Sequence, residues 1–149
     1  MLKDFVDLNK GDIVIQTGSN SAVGKSVIQL SRALGFKTIN LVRQRENQVE
    51  NDKLVNDLKS LGADYVLTNE QVINDSKNVR NYIKSISQDS NKQLKLALNC
   101  VGGQETTEIV KCLDESAYLV SYGAMSKKPL TIPPGLHIFK VKLYKWITN

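Results

Sequence analysis

The sequence predicts a doubly wound α/β domain, and three observations predict it. Short, mostly apolar runs alternate with stretches of helical period, each switch carries Gly, Asn, Ser or Asp, and a glycine-bearing turn joins the first run to the first helical stretch. A strand apolar on both faces needs cover on both, which right-handed helical crossovers around a parallel sheet provide. The expected strands are residues 12–16, 37–42, 65–67, 94–99 and 117–122. Between them Val23, Val27, Leu30 and Leu34 recur at steps of four, three and four, as one apolar stripe on a helix. Leu54, Leu58 and Leu61 form a second stripe, and Val79, Ile83 and Ile86 a third. Five strands joined by four helical crossovers then make one doubly wound sheet. Beyond about residue 126 the pattern weakens, with Pro129, Pro133 and Pro134 interrupting it, and residues 141–148 are the candidate for a sixth strand.

Composition sets the outer bounds. With 149 residues, 41% hydrophobic and 23% charged, the chain is expected to form a single domain over 1–149 with one core. A collagen-like repeat, a charged disordered tail and a disulfide-dense mini-protein are all excluded by these proportions. Twenty Lys and Arg against fifteen Asp and Glu leave a formal charge of +5, favouring acidic ligands or partners. No apolar run approaches the roughly 20 residues a membrane-spanning helix needs. Cys100 and Cys112 lack the close spacing of a redox or zinc motif and read as small, reduced core residues. The opening MLKDFVDLNKGD has neither a secretory apolar stretch nor the Arg-rich character of a transit peptide.

The most informative segment runs from Ile15 to Lys25. There Gly18, Asn20, Ser21, Ala22, Val23 and Gly24 leave the first strand and open the first helix. Unpaired amides and the positive end of the helix dipole meet at such a turn, so it suits phosphate. Small side chains let the pyrophosphate approach the backbone, and Gly24 lets the helix pack closely on the strand. The middle glycine of the usual dinucleotide fingerprint is missing, its place filled by Ser19 to Val23. A nucleotide-hydrolase phosphate loop competes for Gly18, Gly24, Lys25 and Ser26. That loop needs four residues between its glycines and an acidic residue ending a later strand. Five residues separate Gly18 from Gly24, and the 94–99 run ends in Asn99.

A dinucleotide domain reads the adenosine ribose at the end of its second strand. Here stand Arg43, Gln44 and Arg45, and planar guanidinium groups match a 2′-phosphate, so NADPH is the expected cofactor. Glu46 keeps NAD open as the alternative, and a solvated basic loop is the bland reading of the same residues.

These segments, with Leu96 to Gly103 and with Tyr122, Gly123, Ala124, Met125 and Ser126, resemble the nucleotide-binding domain of the mitochondrial trans-2-enoyl-CoA (enoyl thioester) reductases of the medium-chain dehydrogenase/reductase superfamily. The similarity runs from about Asn9 to about Lys142. It implies a Rossmann-like fold and NADPH-dependent reduction of a 2,3-double bond conjugated to a thioester, carried on coenzyme A or acyl carrier protein, in mitochondrial fatty acid synthesis. It also implies a homodimer for the full-length family and a mitochondrial matrix location. By the same resemblance Asn20 to Val23 lie along the cofactor phosphates and ribose, Arg43 to Arg45 hold the 2′-phosphate, and Tyr122 to Met125 pass beside the nicotinamide half. Trp146 corresponds to an aromatic cofactor contact in a segment that is one residue short here. The family's tyrosine proton donor comes from an N-terminal catalytic domain with no counterpart in these residues, so no catalytic residue is assigned. A quinone or enone reductase of the same superfamily and a truncated, non-catalytic nucleotide-binding module are the alternatives.

The remaining signals have ordinary readings. Tyr65, Tyr118 and Tyr122 fall in or at the ends of expected strands and suit core packing. His137, the only histidine, has no cluster of ligands around it, so no metal site is expected. Lys127, Lys128, Lys140, Lys142 and Lys145 suit either a polyanionic substrate carrier or plain solvation. No motif supports nucleic-acid binding.

Overall fold

The computed structural model describes residues 1–145. Its elements in chain order are β1 (Ile13–Gln16), α1 (Ala22–Leu34), β2 (Lys37–Val42), α2 (Gln48–Leu61), β3 (Tyr65–Thr68), α3 (Asn69–Asn74), α4 (Ser76–Ser90), β4 (Leu94–Asn99), α5 (Gly103–Cys112), β5 (Ala117–Ser121), α6 (Pro134–Phe139) and β6 (Val141–Lys145). The strands pair in parallel in the order β3-β2-β1-β4-β5-β6. That order reverses between β1 and β4, and the loops at the carboxyl ends of those two strands part to leave a crevice, as in Rossmann-like folds. The expected doubly wound sheet is what the chain forms. β6 fills the sixth position, and the residues beyond Lys145 in the expected 141–148 strand lie outside the described part.

Alternation along β1 shows why helices cover both faces. Ile13 and Ile15 join the larger core with Val79, Ile83 and Ile86 of α4 and Ile109 and Val110 of α5. Val14 faces the other way, into a cluster with Val27 of α1, Phe36, Leu96 and Leu98. Ile28 of α1 meets Leu58 of α2 and Val42 beside it. Full burial of one such side chain stabilises by about 1.5–3 kcal/mol.

The α4 stripe is buried as its spacing predicts. The α1 stripe is not: among its four residues only Val27 is buried, while Val23, Leu30 and Leu34 are 41%, 54% and 37% exposed. The helix instead lays Gly24, Val27, Ile28 and Ser31 on the sheet. Two small residues on that face bring the helix close, so the true contact line is rotated from the most apolar one. Leu30 and Leu34 then border a shallow hollow shared with Met1 and Leu2. Cys100 and Cys112 are both buried and unbridged. Burial raises the Cys112 thiol to about 11, consistent with an inert core residue.

Helix termini follow local chemistry. Ser21 caps α1 by accepting from the Gly24 amide at 3.1 Å, and Asn47 caps α2 by accepting from Glu50. Thr68 and Gln71 form a capping box that starts α3, a short helix the apolar spacing does not reveal. No described helix is long and apolar enough to cross a membrane.

Candidate functional site

A crevice of about 570 Å³ opens at the carboxyl end of the sheet, between the loops that follow β1, β2, β4 and β5. Its walls take shape from two buried polar hubs.

The first hub is Gln16, fully buried at the end of β1. Its Nε2 donates to the Gly24 carbonyl and to Asn40 Oδ1, both at 2.9 Å, and Asn40 Nδ2 donates onward to Thr38 Oγ1 and to the Tyr65 carbonyl. This string ties the first turn of α1 to β2 and β3. Gly24 is pressed against the preceding loop so closely that a Cβ there would lie 2.7 Å from the Gly18 carbonyl oxygen and from Ser19 backbone carbons. Gly18 turns with φ +62, a conformation glycine adopts without penalty, and its missing side chain leaves room for Cys100 Sγ.

The second hub is Asn99, at the end of β4. Its Oδ1 accepts from Thr17 Oγ1, the Val101 amide, the Gly102 amide and Thr106 Oγ1, while Nδ2 donates to Ser121 Oγ. One amide side chain thereby fixes the end of β1, the turn into α5 and the end of β5. A carboxylate directed at magnesium could not serve this way, which removes the support the hydrolase reading needs from position 99. Gly102 and Gly103 complete the turn with φ +80 and +70, and Lys128 crosses over them.

The residues singled out from the sequence fall into three groups. Gly18, Asn20, Arg43, Arg45 and Met125 line the crevice. Ser21, Ala22, Val23 and Gly24 stand behind or beside the wall: Ser21 is the cap, Gly24 is buried, and Ala22 and Val23 are exposed at the helix start. The amides of Ala22 and Val23 have no partner among the described residues, as expected where a helix begins. Gln44 supports the β2 loop instead of facing the crevice, since its amide donates to Asn69 Oδ1 and its Oε1 accepts from Thr68 Oγ1. The Arg45 backbone is held in the same manner by Asn51. Tyr122 is half-buried, and burial, with the Cys100 thiol beside its hydroxyl, pushes its pKa upward. Gly123 lies against Cys100 while Ala124 is exposed. Trp146 lies outside the described residues.

Several lining residues escaped the sequence reading, Asn69 and Ile73 of α3 and Gln104 and Glu105 of α5, while Lys128, read from the sequence only as one of a late basic cluster, also lines the crevice. The Gly102-Gly103 pair at the end of a buried run was the signal that could have located the α5 wall. Arg43, Arg45 and Lys128 give the crevice three cations, and the α1 and α5 starts supply amides, a donor set suited to an extended ligand with more than one phosphate. The described residues contain no group of three or more His, Cys, Asp or Glu able to hold a metal ion, so they do not form a zinc site.

Comparison with known proteins agrees with this geometry. The chain is 49% identical over 140 residues to a mitochondrial enoyl-[acyl-carrier-protein] reductase of Caenorhabditis elegans, a match covering 94% of this chain and 36% of that protein. It is 44% identical over 140 residues to the human protein of the same name, covering 94% of this chain and 35% of the relative. The chain thus spans about a third of the length of the curated relatives it matches. Among solved structures, the mitochondrial 2-enoyl thioester reductase Etr1p/Etr2p heterodimer of Candida tropicalis superposes with a TM-score of 0.90 at 40% identity, over 99% of this chain and 40% of that one. A complex of Etr1p with NADP and crotonyl-CoA gives the same score, identity and coverage. A family model described as zinc-binding dehydrogenase matches residues 22–145. By that match the chain belongs to the zinc-binding dehydrogenase family, although its described residues hold no zinc site.

Proposed function

We propose that this chain supplies the NADPH-binding part of an enoyl thioester reductase. The observation that carries the reading is the pairing of Arg43 and Arg45 in one crevice with the glycine turn of β1 and α1. The similarity to reductases whose solved complex holds NADP and crotonyl-CoA supports it. In this reading Arg43 and Arg45 hold the 2′-phosphate, the segment from Gly18 to Gly24 holds the pyrophosphate, and Tyr122 to Met125 border the nicotinamide half. Gln44 acts indirectly, by keeping the arginine loop against α3.

When bound, NADPH supplies the hydride for the β-carbon of a conjugated enoyl thioester. The part of this chain is to bind and orient. Gln16 fixes the α1 turn and Asn99 fixes the α5 turn. The enolate formed by reduction requires a positioned proton donor, which this reading places on a catalytic domain outside these residues. The substrate is carried by coenzyme A or acyl carrier protein, the full-length protein self-associates, and the setting is the mitochondrial matrix, where the names of the relatives point to the mitochondrion.

Fluorescence titration of the chain with NADPH and NADH tests the reading. NADPH is expected to bind at least tenfold more tightly, and the double variant Arg43→Ala, Arg45→Ala to lose that preference. Equal affinity for the two dinucleotides in the unaltered chain would overturn the reading. In a full-length protein, reduction of crotonyl-CoA in preference to quinones is the expected activity, and quinone reduction alone would reassign the substrate.

A further inference from the structure

The crevice contains a buried acid that the proposed reading does not use. Glu105 sits in the first turn of α5, lines the crevice and is only 9% exposed. One turn further along lies Glu108, 8% exposed, and the contrast is informative. Glu108 is doubly paired, with Arg80 at 2.9 Å and Lys111 at 2.7 Å. Glu105 has no ion-pair partner among the described residues. A buried carboxylate without a close partner is costly, so its burial needs an explanation.

We propose that Glu105 is a specificity-determining residue of this crevice, which sets through Arg43 how strongly a 2′-phosphorylated dinucleotide is preferred, by taking up a proton as the phosphate seats. The inference rests on the NADPH reading of the same crevice.

The surroundings favour this coupling. From the β2 loop, Arg43 is the cation whose field acts on Glu105 and opposes the upward push of burial on its pKa. Arg45 lines the same wall, and Lys128 passes over Gly103 from the loop after β5. From α3 the wall receives the neutral Asn69 and Ile73, and the helix's own acid, Glu70, is exposed. From α4, Arg80 is committed to Glu108, while Lys77 and Lys84 are exposed. Arg43 and the buried carboxylate therefore line one crevice, the one a ligand phosphate would enter.

A phosphate monoester arriving on Arg43 brings up to two negative charges. It engages the guanidinium and repels the carboxylate lining the same crevice, so the favourable field of Arg43 on the buried Glu105 is offset. Protonation relieves this: one proton from solvent joins a carboxylate oxygen, and no covalent bond breaks. A dinucleotide without the 2′-phosphate leaves Arg43 to Glu105 and takes up no proton. The preference for the phosphorylated ligand must then fall as pH rises, because each binding event consumes a proton. The second ionisation of the phosphate, near pH 6, works in the opposite sense by making the ligand a better partner for arginine. Removing the carboxyl should expose that opposite trend.

Calorimetric titration of the chain with NADP⁺ and NAD⁺, from pH 5.5 to 8.5 in two buffers of different ionisation heat, provides the test. The variants are Glu105→Gln and Glu105→Leu, the second an apolar replacement of similar size suited to the buried position in case the first does not fold. The unaltered chain is expected to take up more protons with NADP⁺ than either variant, and to lose about tenfold of its NADP⁺ preference across the range, while the variants keep or increase theirs. Identical proton uptake and identical pH profiles in the unaltered chain and a folded variant would overturn the inference while leaving an NADP⁺ preference, and hence the function, intact. Absence of any NADP⁺ preference in the unaltered chain would remove both.

Discussion

The two ends of the sheet carry similar raw materials and differ in what they can bind. At the carboxyl end, glycine turns and the cations Arg43, Arg45 and Lys128 border the crevice. At the amino end, a hollow of about 550 Å³ also has glycines and cations, among them Gly35, Gly62, Arg32, Lys37 and Lys59. Two of the glycines there end helices instead of preceding them: Gly35 and Gly62 are the left-handed caps of α1 and α2. A parallel sheet with helical crossovers points helix starts to one end and helix finishes to the other. The amino end therefore presents carbonyls and negative dipole ends, which Arg32 and Lys59 in the last turns offset. Lys37 is paired with Asp64 at 2.8 Å. Cations alone do not make an anion site; the direction of the neighbouring backbone decides it.

Substitutions at matched positions should separate the two ends, and the largest effect belongs to Gly24. Gly24→Val forces atoms into the Gly18 and Ser19 backbone, and the expected result is about 3 kcal/mol of lost stability in a denaturant titration, together with loss of NADPH binding. At the other end Gly62→Ala strains a residue at φ +111 and should cost about 1 kcal/mol without changing NADPH affinity. Retained NADPH binding in a folded Gly24→Val chain would erase the distinction.

Charge removal comes next. Arg43→Ala is expected to weaken NADPH binding by about 10- to 100-fold, the worth of a charge-assisted hydrogen bond, and to leave NADH binding unaltered. The amino-end counterpart, Arg32→Ala, should change neither affinity. Asn99→Ala should destabilise by about 1–3 kcal/mol, because it strands donors from Thr17, Val101, Gly102 and Thr106. Thermal unfolding and the NADPH titration together would read that loss at the hub.

The smallest effect lies at Lys37. Its hydrogen bond and charge interaction with Asp64 raise its pKa above 10.5. The pair's stabilisation is present below the unfolded value of 10.5 and is lost as pH rises through the higher folded value. With Lys37 side-chain exposure of 55%, solvent screening limits the effect to well under 1 kcal/mol. Lys37→Met should remove this alkaline component from the stability profile and leave nucleotide binding unchanged.

Much of the fold was legible because it depends on repeated, local signals. The apolar strand runs and the α4 stripe needed no knowledge of distant contacts. The α1 stripe misled because Gly24 and Ser31 offer closeness in place of apolar area, a tertiary preference that an apolar count cannot register. Short α3 was missed since one turn and a half carries no period, although its Thr68 and Gln71 spacing was available as a capping signal. At the site, Arg43 and Arg45 were recognisable from their place after the second strand. Gln44 shared that place, but its side-chain direction depends on Thr68, 24 residues away. Glu105 was hidden for the same reason, and Lys128 was legible only as a basic residue: their meeting in one crevice is a product of the chain crossing.

A structure of the chain grown with NADPH tests the central claim most directly. The 2′-phosphate should lie within hydrogen-bond distance of the Arg43 and Arg45 guanidinium groups, with the pyrophosphate over the Gly18 to Gly24 turn. A dinucleotide bound in the amino-end hollow, or a crevice that rejects NADPH and instead accepts a magnesium nucleoside triphosphate, would contradict it.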